Sequence, residues 1–268
     1  ASVVRARRPP GACANLSAMK PLLLITGASR GIGAATATLA ARQGWAVALN
    51  YARDDAAARA LVEHLRGGGG EAEAYRADVS DDAQVREMFT AIDAHFGAGR
   101  LRGLVNNAGV VDVAARVDAM PVERVQRMFA INVFGSFWCA REALLRMSRV
   151  HGGMGGAIVN VSSAATRIGS PGQYVDYASA KGAIDTFTLG LAREVATEGV
   201  RVNAVRPGII DTEIHASGGQ PDRAARAAPQ LPMQRAGSAD EVAQSILWLL
   251  SDAASYVTGA LLDVSGGR

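Results

Sequence analysis

Short apolar runs, each suited to a buried strand, alternate with helical stretches along almost the whole chain. The expected helices cover residues 32–43, 56–66, 81–96, 177–197 and 239–250, and two further helical stretches precede residue 150. Apolar strands joined by helices predict a parallel sheet, because each crossover helix packs on one of its faces. The sequence therefore predicts a doubly wound α/β sheet of about seven parallel strands, at residues 22–26, 45–50, 72–77, 101–105, 157–161, 200–205 and 261–264.

The length of the chain, 268 residues, suits one large α/β domain rather than two. We expect that domain at residues 19–268, with a polar, weakly periodic segment at about 211–235 acting as a lid. Residues 1–18 carry several arginines but no apolar segment, which predicts a poorly ordered N-terminal extension rather than a secretory signal. A basic, transit-like segment is the alternative interpretation.

Composition argues against several classes of protein. The net charge is only +3 and the basic residues are scattered, so we expect no nucleic-acid partner. The two cysteines, Cys13 and Cys139, form no CxxC pair, so we expect no disulfide framework, no metal site and a cytoplasmic location. No apolar run reaches the roughly 18 residues of a membrane span, so we expect no membrane partner.

A glycine-rich turn, TGASRGIG at residues 26–33, follows the first strand and opens the first helix. A dinucleotide-binding turn requires this context. Gly27 permits a sharp change of direction, and the two later glycines let backbone and helix approach a pyrophosphate. The helix N-terminus offers free N–H groups to that anion. We expect cofactor contacts from Gly27, Ser29, Arg30, Gly31, Ile32 and Gly33.

Further motifs follow this turn in a fixed order along the chain. Together with the glycine pattern they resemble the signature of the classical short-chain dehydrogenase/reductase (SDR) family, from about residue 20 almost to the end. The resemblance implies a Rossmann-type fold and an NAD(P)-dependent oxidoreductase. The matching segments are Asp78-Val79, Asn106-Asn107-Ala108-Gly109, Asn132, Tyr177-Ala178-Ser179-Ala180-Lys181, Pro207-Gly208 and residues 256–267.

The resemblance also implies which residues contact the cofactor. Asp78 and Val79 match the family's adenine-contacting pair, and Pro207-Gly208 matches a turn beside the nicotinamide. Thr212 and the backbone at Ile210 resemble contacts to the nicotinamide carboxamide. We further expect cofactor contacts from other motif residues, namely Asn107, Ala108, Gly109, Tyr177 and Lys181.

Tyr177 and Lys181 lie four residues apart on a predicted helix, so their side chains share one face. A free tyrosine ionises near about pH 10. A nearby ammonium favours the phenolate, so we expect a lowered pKa for Tyr177. Such a tyrosine can give a proton to a carbonyl oxygen or take one from an alcohol. An ordinary amphipathic pair on a surface helix is the alternative, which the glycine turn disfavours.

A serine pair ends the fifth strand and offers a hydroxyl that could polarise a substrate oxygen. Alternation along a strand puts Ser162 and Ser163 on opposite faces, so only one can serve, and we predict Ser163. From Ser163 to Tyr177 is 177 − 163 = 14 positions, one more than in many relatives, which an extra residue in loop 169–173 would absorb. Asn132 resembles the family asparagine that holds a water in a relay from the lysine; a structural role within its helix is the alternative.

The end of the second strand distinguishes the two nicotinamide cofactors. An acidic side chain there would bind the ribose 2′-hydroxyl of NAD and repel the 2′-phosphate of NADP. The chain instead has Asn50 and Tyr51, while Arg30 and Arg53 can bring positive charge toward a phosphate. We therefore predict NADP, with NAD as the alternative, and expect Asn50, Tyr51 and Arg53 among its contacts. We expect Asp54-Asp55 to begin the next helix.

The substrate is the least constrained part of the prediction. The pocket is expected to be lined by residues 164–166, Ile168, Tyr174, Ile214 and His215, mostly small or apolar, which favours a modest neutral carbonyl compound, alcohol or sugar. We expect His215 to be a surface residue rather than a catalytic one, and Arg223 to be solvated.

The sequence leaves two other functions open and also predicts how the subunits assemble. A reductase of 3-oxoacyl thioesters on a carrier protein is one alternative to a dehydrogenase of small molecules. A sensor that binds NADP without turnover is another, although such a protein would lack the tyrosine or the lysine. Helices near residues 120–150 and 177–197 resemble the family's dimer-forming bundle, so we expect a homotetramer, with a dimer next.

Overall fold

The computed structural model describes residues 19–268, so the expected N-terminal extension at residues 1–18 lies outside the described residues. The described part of the chain forms one seven-stranded sheet of parallel strands in the order β3-β2-β1-β4-β5-β6-β7. The predicted doubly wound α/β fold is confirmed. The strands are β1 (Leu22–Ile25), β2 (Ala46–Tyr51), β3 (Ala72–Arg76), β4 (Leu101–Asn106), β5 (Gly156–Val161), β6 (Val200–Pro207) and β7 (Leu261–Val264).

Helices cover both faces of this sheet. They are α1 (Gly31–Arg42), α2 (Asp55–Gly67), α3 (Asp82–Phe96), α4 (Val122–Phe129), α5 (Gly135–Met147), α6 (Ala165–Ile168), α7 (Val175–Val195), α8 (Ile214–Ser217), α9 (Arg223–Ala227) and α10 (Ala239–Leu250). The helices α1, α2 and α10 pack on one face, and α3, α5 and α7 pack on the other. Within residues 19–268, no helix combines the length and the apolar character needed to cross a membrane.

The central strand β1 shows why the sheet needs helices on both sides. All four of its residues are buried. Leu22 and Leu24 belong to the apolar cluster on one face, and Leu23 and Ile25 belong to the cluster on the other. Successive side chains of a strand point to opposite faces, so an uninterrupted apolar strand is stable only when both faces are covered.

Strand and helix boundaries agree with the predictions to within a few residues, with one informative exception. A π-helical turn at Ala130–Phe134 separates α4 from α5 in the helical stretch that precedes residue 150. Apolar periodicity did not reveal it, because one wide turn changes the spacing by a single residue. Such turns occur often at functional sites, and this one contains Asn132.

The sheet also determines where a ligand can bind. β1 lies between β2 and β4, so the order of the strands along the chain reverses at this point. Ligands of open α/β sheets bind outside the carboxyl ends of the strands at such a reversal. β1 ends at Ile25 and β4 ends at Asn106, which brings the glycine turn and Asn107 to the same edge of the sheet.

The segment predicted to act as a lid, residues 211–235, follows β6 and contains α8 and α9. Its Gln220 donates a hydrogen bond to the Tyr174 hydroxyl (2.7 Å), and its Arg223 packs over the Tyr174 ring, 4.9 Å from the centroid. Ala224 and Leu231 form a small apolar cluster with Ile209. The segment is therefore docked beside the start of α7, and its opening and closing stays a prediction.

Candidate active site

The turn after β1 is joined to the end of β4 by a set of short hydrogen bonds. Thr26 Oγ1 accepts from the backbone N–H groups of Asn107 (3.0 Å) and Ala108 (2.9 Å). The Asn107 side-chain amide donates to the carbonyl oxygens of Thr26 and Gly27, at 2.9 Å each. Gly27 has a φ of +60°, which glycine adopts without strain. The two segments expected to hold the cofactor therefore form one unit.

The start of α1 has the shape and the free donors that a phosphate requires. A Cβ atom on Gly33 would lie 2.6 Å from the Gly27 carbonyl oxygen and 2.7 Å from the Asn107 amide nitrogen, so only glycine fits. Arg30, at the N-cap of α1, makes no side-chain capping hydrogen bond. The first N–H groups of this helix are therefore left for another acceptor, and a helix N-terminus favours an anion.

Asn50 and Tyr51, expected among the cofactor contacts, have buried side chains with partners inside the protein. The Asn50 amide donates to the Ala77 carbonyl (3.0 Å), and its oxygen accepts from the Gly27 N–H (3.3 Å). The Tyr51 hydroxyl donates to the carboxylate of Asp55 in the first turn of α2. Arg30 and Arg53 are the exposed groups among the predicted contacts in this region.

The predicted adenine-contacting pair divides into one exposed and one buried residue. Asp78 is exposed, and its carboxylate accepts from the Ser80 N–H (3.0 Å) and hydroxyl (2.7 Å). Val79 is buried against α5, where a Cβ atom on Gly135 would lie only 2.7 Å from a Val79 methyl carbon. Val79 therefore fixes α5 against the sheet edge, while Asp78 lies in the open beside it.

A cavity beside the turn brings together predicted residues from five separate stretches of the chain. It encloses about 1000 Å³ of empty space, open solvent at its mouth included. Among its lining residues are the predicted Ile32, Asn107, Gly109, Ser163, Tyr177, Lys181, Pro207, Gly208, Ile210 and Thr212. The remaining predicted contacts lie outside the cavity lining, and they are Gly27, Ser29, Arg30, Gly31, Gly33, Asn50, Tyr51, Arg53, Asp78, Val79, Ala108 and Asn132.

The two serines at the end of β5 have different surroundings. Ser162 is buried and donates to Asp185 Oδ1 (2.7 Å), whose other oxygen accepts from Arg206 (2.8 Å). Ser163 is partly exposed and lines the cavity together with Tyr177. Ser162 also borders the cavity, but its hydroxyl is held by Asp185 and the residue is buried, so Ser163 offers the freer hydroxyl. The loop that follows it is tight, with a φ of +47° at the non-glycine residue Ser170.

Tyr177 is partly buried, and its surroundings do not favour ionisation in the protein by itself. Burial raises the pKa of Tyr177, while hydrogen bonding with Ser163 and the charge of Arg223 lower it. The net shift is upward, so the expectation that the lysine would lower the pKa of Tyr177 is wrong for the protein without ligands. The phenol is therefore protonated at neutral pH and suited to donate its proton.

Lys181 is buried and close to Tyr177. Its ammonium lies 5.7 Å from the centroid of the Tyr177 ring and donates a 2.7 Å hydrogen bond to the carbonyl oxygen of Val161, the last residue of β5. Burial lowers the pKa of Lys181 to about 8, although the charge of Asp185 opposes the shift. The amine is thus close to half protonated at mildly alkaline pH, the condition under which a side chain exchanges protons readily.

Asn132 lies on the π-helical turn and uses its side chain within the protein. Its amide oxygen accepts from the Val110 N–H (2.9 Å), and its amide nitrogen donates to the Val110 carbonyl (3.0 Å). A Cβ atom on Gly109 would lie 2.7 Å from that same oxygen and 3.5 Å from Lys181 Nζ. The wide turn therefore brings Asn132 close to the lysine, while its side chain fixes the loop after β4.

Known proteins are similar to this chain along nearly its whole length. The model of a family described as Enoyl-(Acyl carrier protein) reductase matches residues 27–268. The chain belongs to the short-chain dehydrogenase/reductase family. "Uncharacterized oxidoreductase YgfF" of Escherichia coli is 55% identical over 247 residues, which cover 92% of this chain and 99% of that protein. This SDR chain is also similar to two proteins with other names.

One of these is the 3-oxoacyl-[acyl-carrier-protein] reductase of Synechocystis sp., which is 38% identical over 249 residues, covering 91% of this chain and 95% of that protein. The other is a solved short-chain type dehydrogenase/reductase from Mycobacterium marinum. Its structure matches with a TM-score of 0.84 and 35% sequence identity, covering 93% of this chain and 95% of that one. The SDR family is therefore established, together with its oxidoreductase character.

A buried ion pair next to the SDR tyrosine was not predicted from the sequence. Arg124 of α4 donates two hydrogen bonds to Asp176, at 2.8 and 3.2 Å, and a third to the Val113 carbonyl (2.7 Å). Only 6% of the Arg124 side chain and 1% of the Asp176 side chain are exposed. The pair fixes the first turn of α7, and so Tyr177, against α4. Residues 52 positions apart give no local signal of such a contact.

The cavity is also lined by two arginines that the sequence did not place there, Arg223 and Arg268. His215 lines it as expected, and both His215 and Arg223 are partly exposed. His215 has a ring nitrogen 2.9 Å from the Ile210 carbonyl oxygen, and burial lowers its pKa. Across the described residues, no group of three His, Cys, Asp or Glu side chains could hold a metal ion.

We predict that Arg124→Ala lowers the free energy of unfolding by about 3–5 kcal/mol, because it leaves the Asp176 carboxylate buried and unpaired. Arg116→Ala is the matched control. It removes an arginine from the Arg116–Asp118 pair, whose side chains are 78% and 70% exposed, and should change that free energy by no more than about 1 kcal/mol. Urea unfolding of both variants measures the difference, and equal losses would contradict the role assigned to Arg124.

We also predict that the stability of wild type relative to Lys181→Met depends on pH. Unfolding restores the ordinary pKa of 10.5, whereas the pKa in the folded protein is about 8. Between these values only the unfolded chain binds the proton, so wild type gains stability relative to the variant as pH rises from about 8 to about 10.5. Below about pH 8 both states are protonated, and the difference should be constant.

Urea unfolding at several pH values tests this prediction. Lys20→Met removes an exposed lysine and is the control, because it should give no comparable slope. A difference between wild type and Lys181→Met that is flat from pH 8 to 10.5 would show that burial does not control this titration.

Proposed function

We propose that this SDR is an NADP-dependent oxidoreductase that interconverts a carbonyl compound and an alcohol, with Tyr177 as the general acid and base. One observation carries the proposal: Tyr177, Lys181 and Ser163 meet in one cavity, directly beside the glycine turn at the strand-order reversal. A proton donor, a cation and a hydroxyl are the groups that the reduction of a carbonyl needs.

The residues present fit a dinucleotide. The N-terminus of α1 and the glycines of the turn would hold the pyrophosphate, with Asp78 beside the adenine and Pro207, Gly208 and Thr212 beside the nicotinamide. When bound, NADPH supplies a hydride to the carbonyl carbon. The close approach of Gly33 to Gly27 and Asn107 leaves no space for a side chain at the base of this cradle, which supports the assignment.

The chain's own residues would control the proton. Ser163 would donate a hydrogen bond to the carbonyl oxygen and polarise it, and the Tyr177 hydroxyl would give that oxygen its proton as the alcohol forms. The Lys181 ammonium, held by the Val161 carbonyl, would stabilise the phenolate that remains. Asn132 would support the relay that returns a proton to Lys181, by fixing the loop after β4.

The preference for NADP follows from charge at the end of β2. The strand itself ends without an acidic residue, and the two acids that follow it are engaged at the start of α2, where Asp54 accepts from the Ala57 N–H and Asp55 accepts from Tyr51 and Arg59. Arg30 and Arg53 are exposed in this region. Two exposed arginines at the end of a strand that carries no acid favour a 2′-phosphate over a 2′-hydroxyl.

A 3-oxoacyl thioester on a carrier protein is the second candidate substrate. The relative from Synechocystis sp. is named a 3-oxoacyl-[acyl-carrier-protein] reductase, and this observation alone favours it. A non-catalytic NADP sensor has less support, because both Tyr177 and Lys181 are present in the cavity. A cytoplasmic location stays a prediction from the sparse cysteines.

A homotetramer is the proposed assembly, with a dimer next. Helices α5 and α7 present large apolar side chains to solvent, including Phe137 (42% exposed) stacked on Phe187 at 3.9 Å, and Leu145 (48% exposed). Exposed apolar side chains grouped on neighbouring helices are typical of an interface between subunits.

We predict that Tyr177→Phe lowers kcat at least 100-fold, because the proton donor is lost while the ring that shapes the cavity remains. NADPH should bind the variant with a dissociation constant within about threefold of the wild-type value, as measured by calorimetry. Tyr256→Phe removes the hydroxyl of a fully exposed tyrosine and is the matched control. A panel of ketones and aldehydes, followed by NADPH absorbance, measures turnover, and full activity of Tyr177→Phe would refute the assignment.

We predict a lower dissociation constant for NADPH than for NADH. Arg30→Gln and Arg53→Gln should each weaken NADPH binding roughly tenfold and leave NADH binding unchanged, because each removes one charged partner of the 2′-phosphate. Arg42→Gln, at the far end of α1, is the control for the loss of one positive charge. Tighter binding of NADH by the wild-type protein would overturn the cofactor preference.

A further inference from the structure

Two arginines from distant parts of the chain enter the same cavity as Tyr177. Arg223 lies at the start of α9, and Arg268 follows β7. Both line the cavity and both are partly buried. Arg223 is close enough for its positive charge to lower the pKa of Tyr177 and that of Arg268. Both arginines therefore belong to the cavity that holds the proton donor.

Neither guanidinium has an acidic partner within the described part of the chain. None of the ion pairs formed by residues 19–268 includes Arg223 or Arg268. The residues that line the cavity include no Asp and no Glu. Arg223 is instead held by the Tyr174 ring, 4.9 Å away, and by a 3.2 Å hydrogen bond to the Gln173 side chain.

Two like charges in a partly buried cavity repel each other and lose hydration, which destabilises the arrangement unless an anion joins them. The phosphates of the cofactor belong at the N-terminus of α1 and at the end of β2, and only Ile32 of that turn lines the cavity. The anion that would pair with Arg223 and Arg268 is therefore part of the substrate. The guanidinium fork matches the geometry of a carboxylate.

The rest of the lining indicates what the carboxylate is attached to. The cavity lining is mainly apolar, and Ile168, Ile209 and Ile214 are part of it. An aliphatic chain would remove this surface from water. A neutral sugar, which the sequence left open, would leave its hydroxyl groups against apolar side chains.

We infer that the substrate is an aliphatic oxo acid, whose carboxylate is bound by Arg223 and Arg268 while its carbonyl lies against Ser163 and Tyr177. This inference rests on the proposed function and specifies its substrate class. The reaction balances as the transfer of one hydride from NADPH to the carbonyl carbon and one proton from Tyr177 to the oxygen, as the C=O π bond breaks. The products are a hydroxy acid and NADP⁺, and solvent returns the proton to Tyr177.

A binding experiment that needs no turnover tests the arginines directly. The NADPH-saturated protein is titrated by calorimetry with hexanoate and with hexanamide, which have the same chain and differ in charge. We expect hexanoate to bind at least tenfold more tightly than hexanamide, and Arg223→Gln to abolish that difference. Arg226→Gln removes an exposed arginine one turn further along α9 and should keep the difference. Arg268→Gln should reduce it.

A kinetic experiment then separates this inference from the proposed function. The substrates 4-oxopentanoate and 5-oxohexanoate are compared with their methyl esters, which have the same ketone but no charge. We expect kcat/KM to be at least tenfold higher for the acids with wild type and Arg226→Gln, and equal for acid and ester with Arg223→Gln. Equal values for acids and esters with wild type would overturn the inference and leave the proposed function intact.

Three further outcomes are equally decisive. If no carbonyl compound in the panel oxidises NADPH while hexanoate still binds through Arg223, the anion site stands and the proposed function fails. If Arg223→Gln instead weakens NADPH binding tenfold or more, the arginine contacts the cofactor and the substrate inference is wrong. Reduction of 3-oxoacyl thioesters on a carrier protein, with no preference for free acids, would also overturn it.

Discussion

The hydrogen bond from Lys181 to the last carbonyl of β5 is the constraint on which the site depends. It ties the long helix α7 to the carboxyl edge of the sheet at 2.7 Å and holds a buried amine there. The same helix carries Tyr177 one turn earlier, so the position of the phenol follows from the position of the lysine. Burying a cation that no carboxylate contacts destabilises the folded state. The protein tolerates this destabilisation at the position where we propose catalysis.

The supporting contacts come from groups that perform no chemistry themselves. Thr26 and Asn107 join the glycine turn to β4, and Asn132 fixes the loop that follows. Asp185 accepts the hydrogen bond of the Ser162 hydroxyl, which leaves the Ser163 hydroxyl as the freer of the two. Each of these contacts uses uncharged or paired groups.

Much of this could be predicted from the sequence, because the relevant signals are local. The apolar strands, the glycine turn and the four-residue interval between Tyr177 and Lys181 each depend on neighbouring residues. The fold and the family followed from their order and are confirmed. The direction of the pKa shift of Tyr177 did not follow, because it depends on burial by side chains from several elements. For the same reason the sequence did not reveal that Arg124 pairs with Asp176 or that Arg223 and Arg268 line one cavity, because the residues in each case are distant in the sequence.

The buried pair of Arg124 and Asp176 has a consequence for how relatives of this protein can diverge. If only one of the two residues is replaced, the charge of the other remains buried without a partner. An ancestor that acquired one residue would therefore have been less stable until it acquired the other. Helices α4 and α7 are therefore expected to be inherited together, as one exchangeable module. A chimera that joins α4 of a relative without the arginine to this α7 would inherit the mismatch, whereas exchange of residues 211–235 would leave the pair intact.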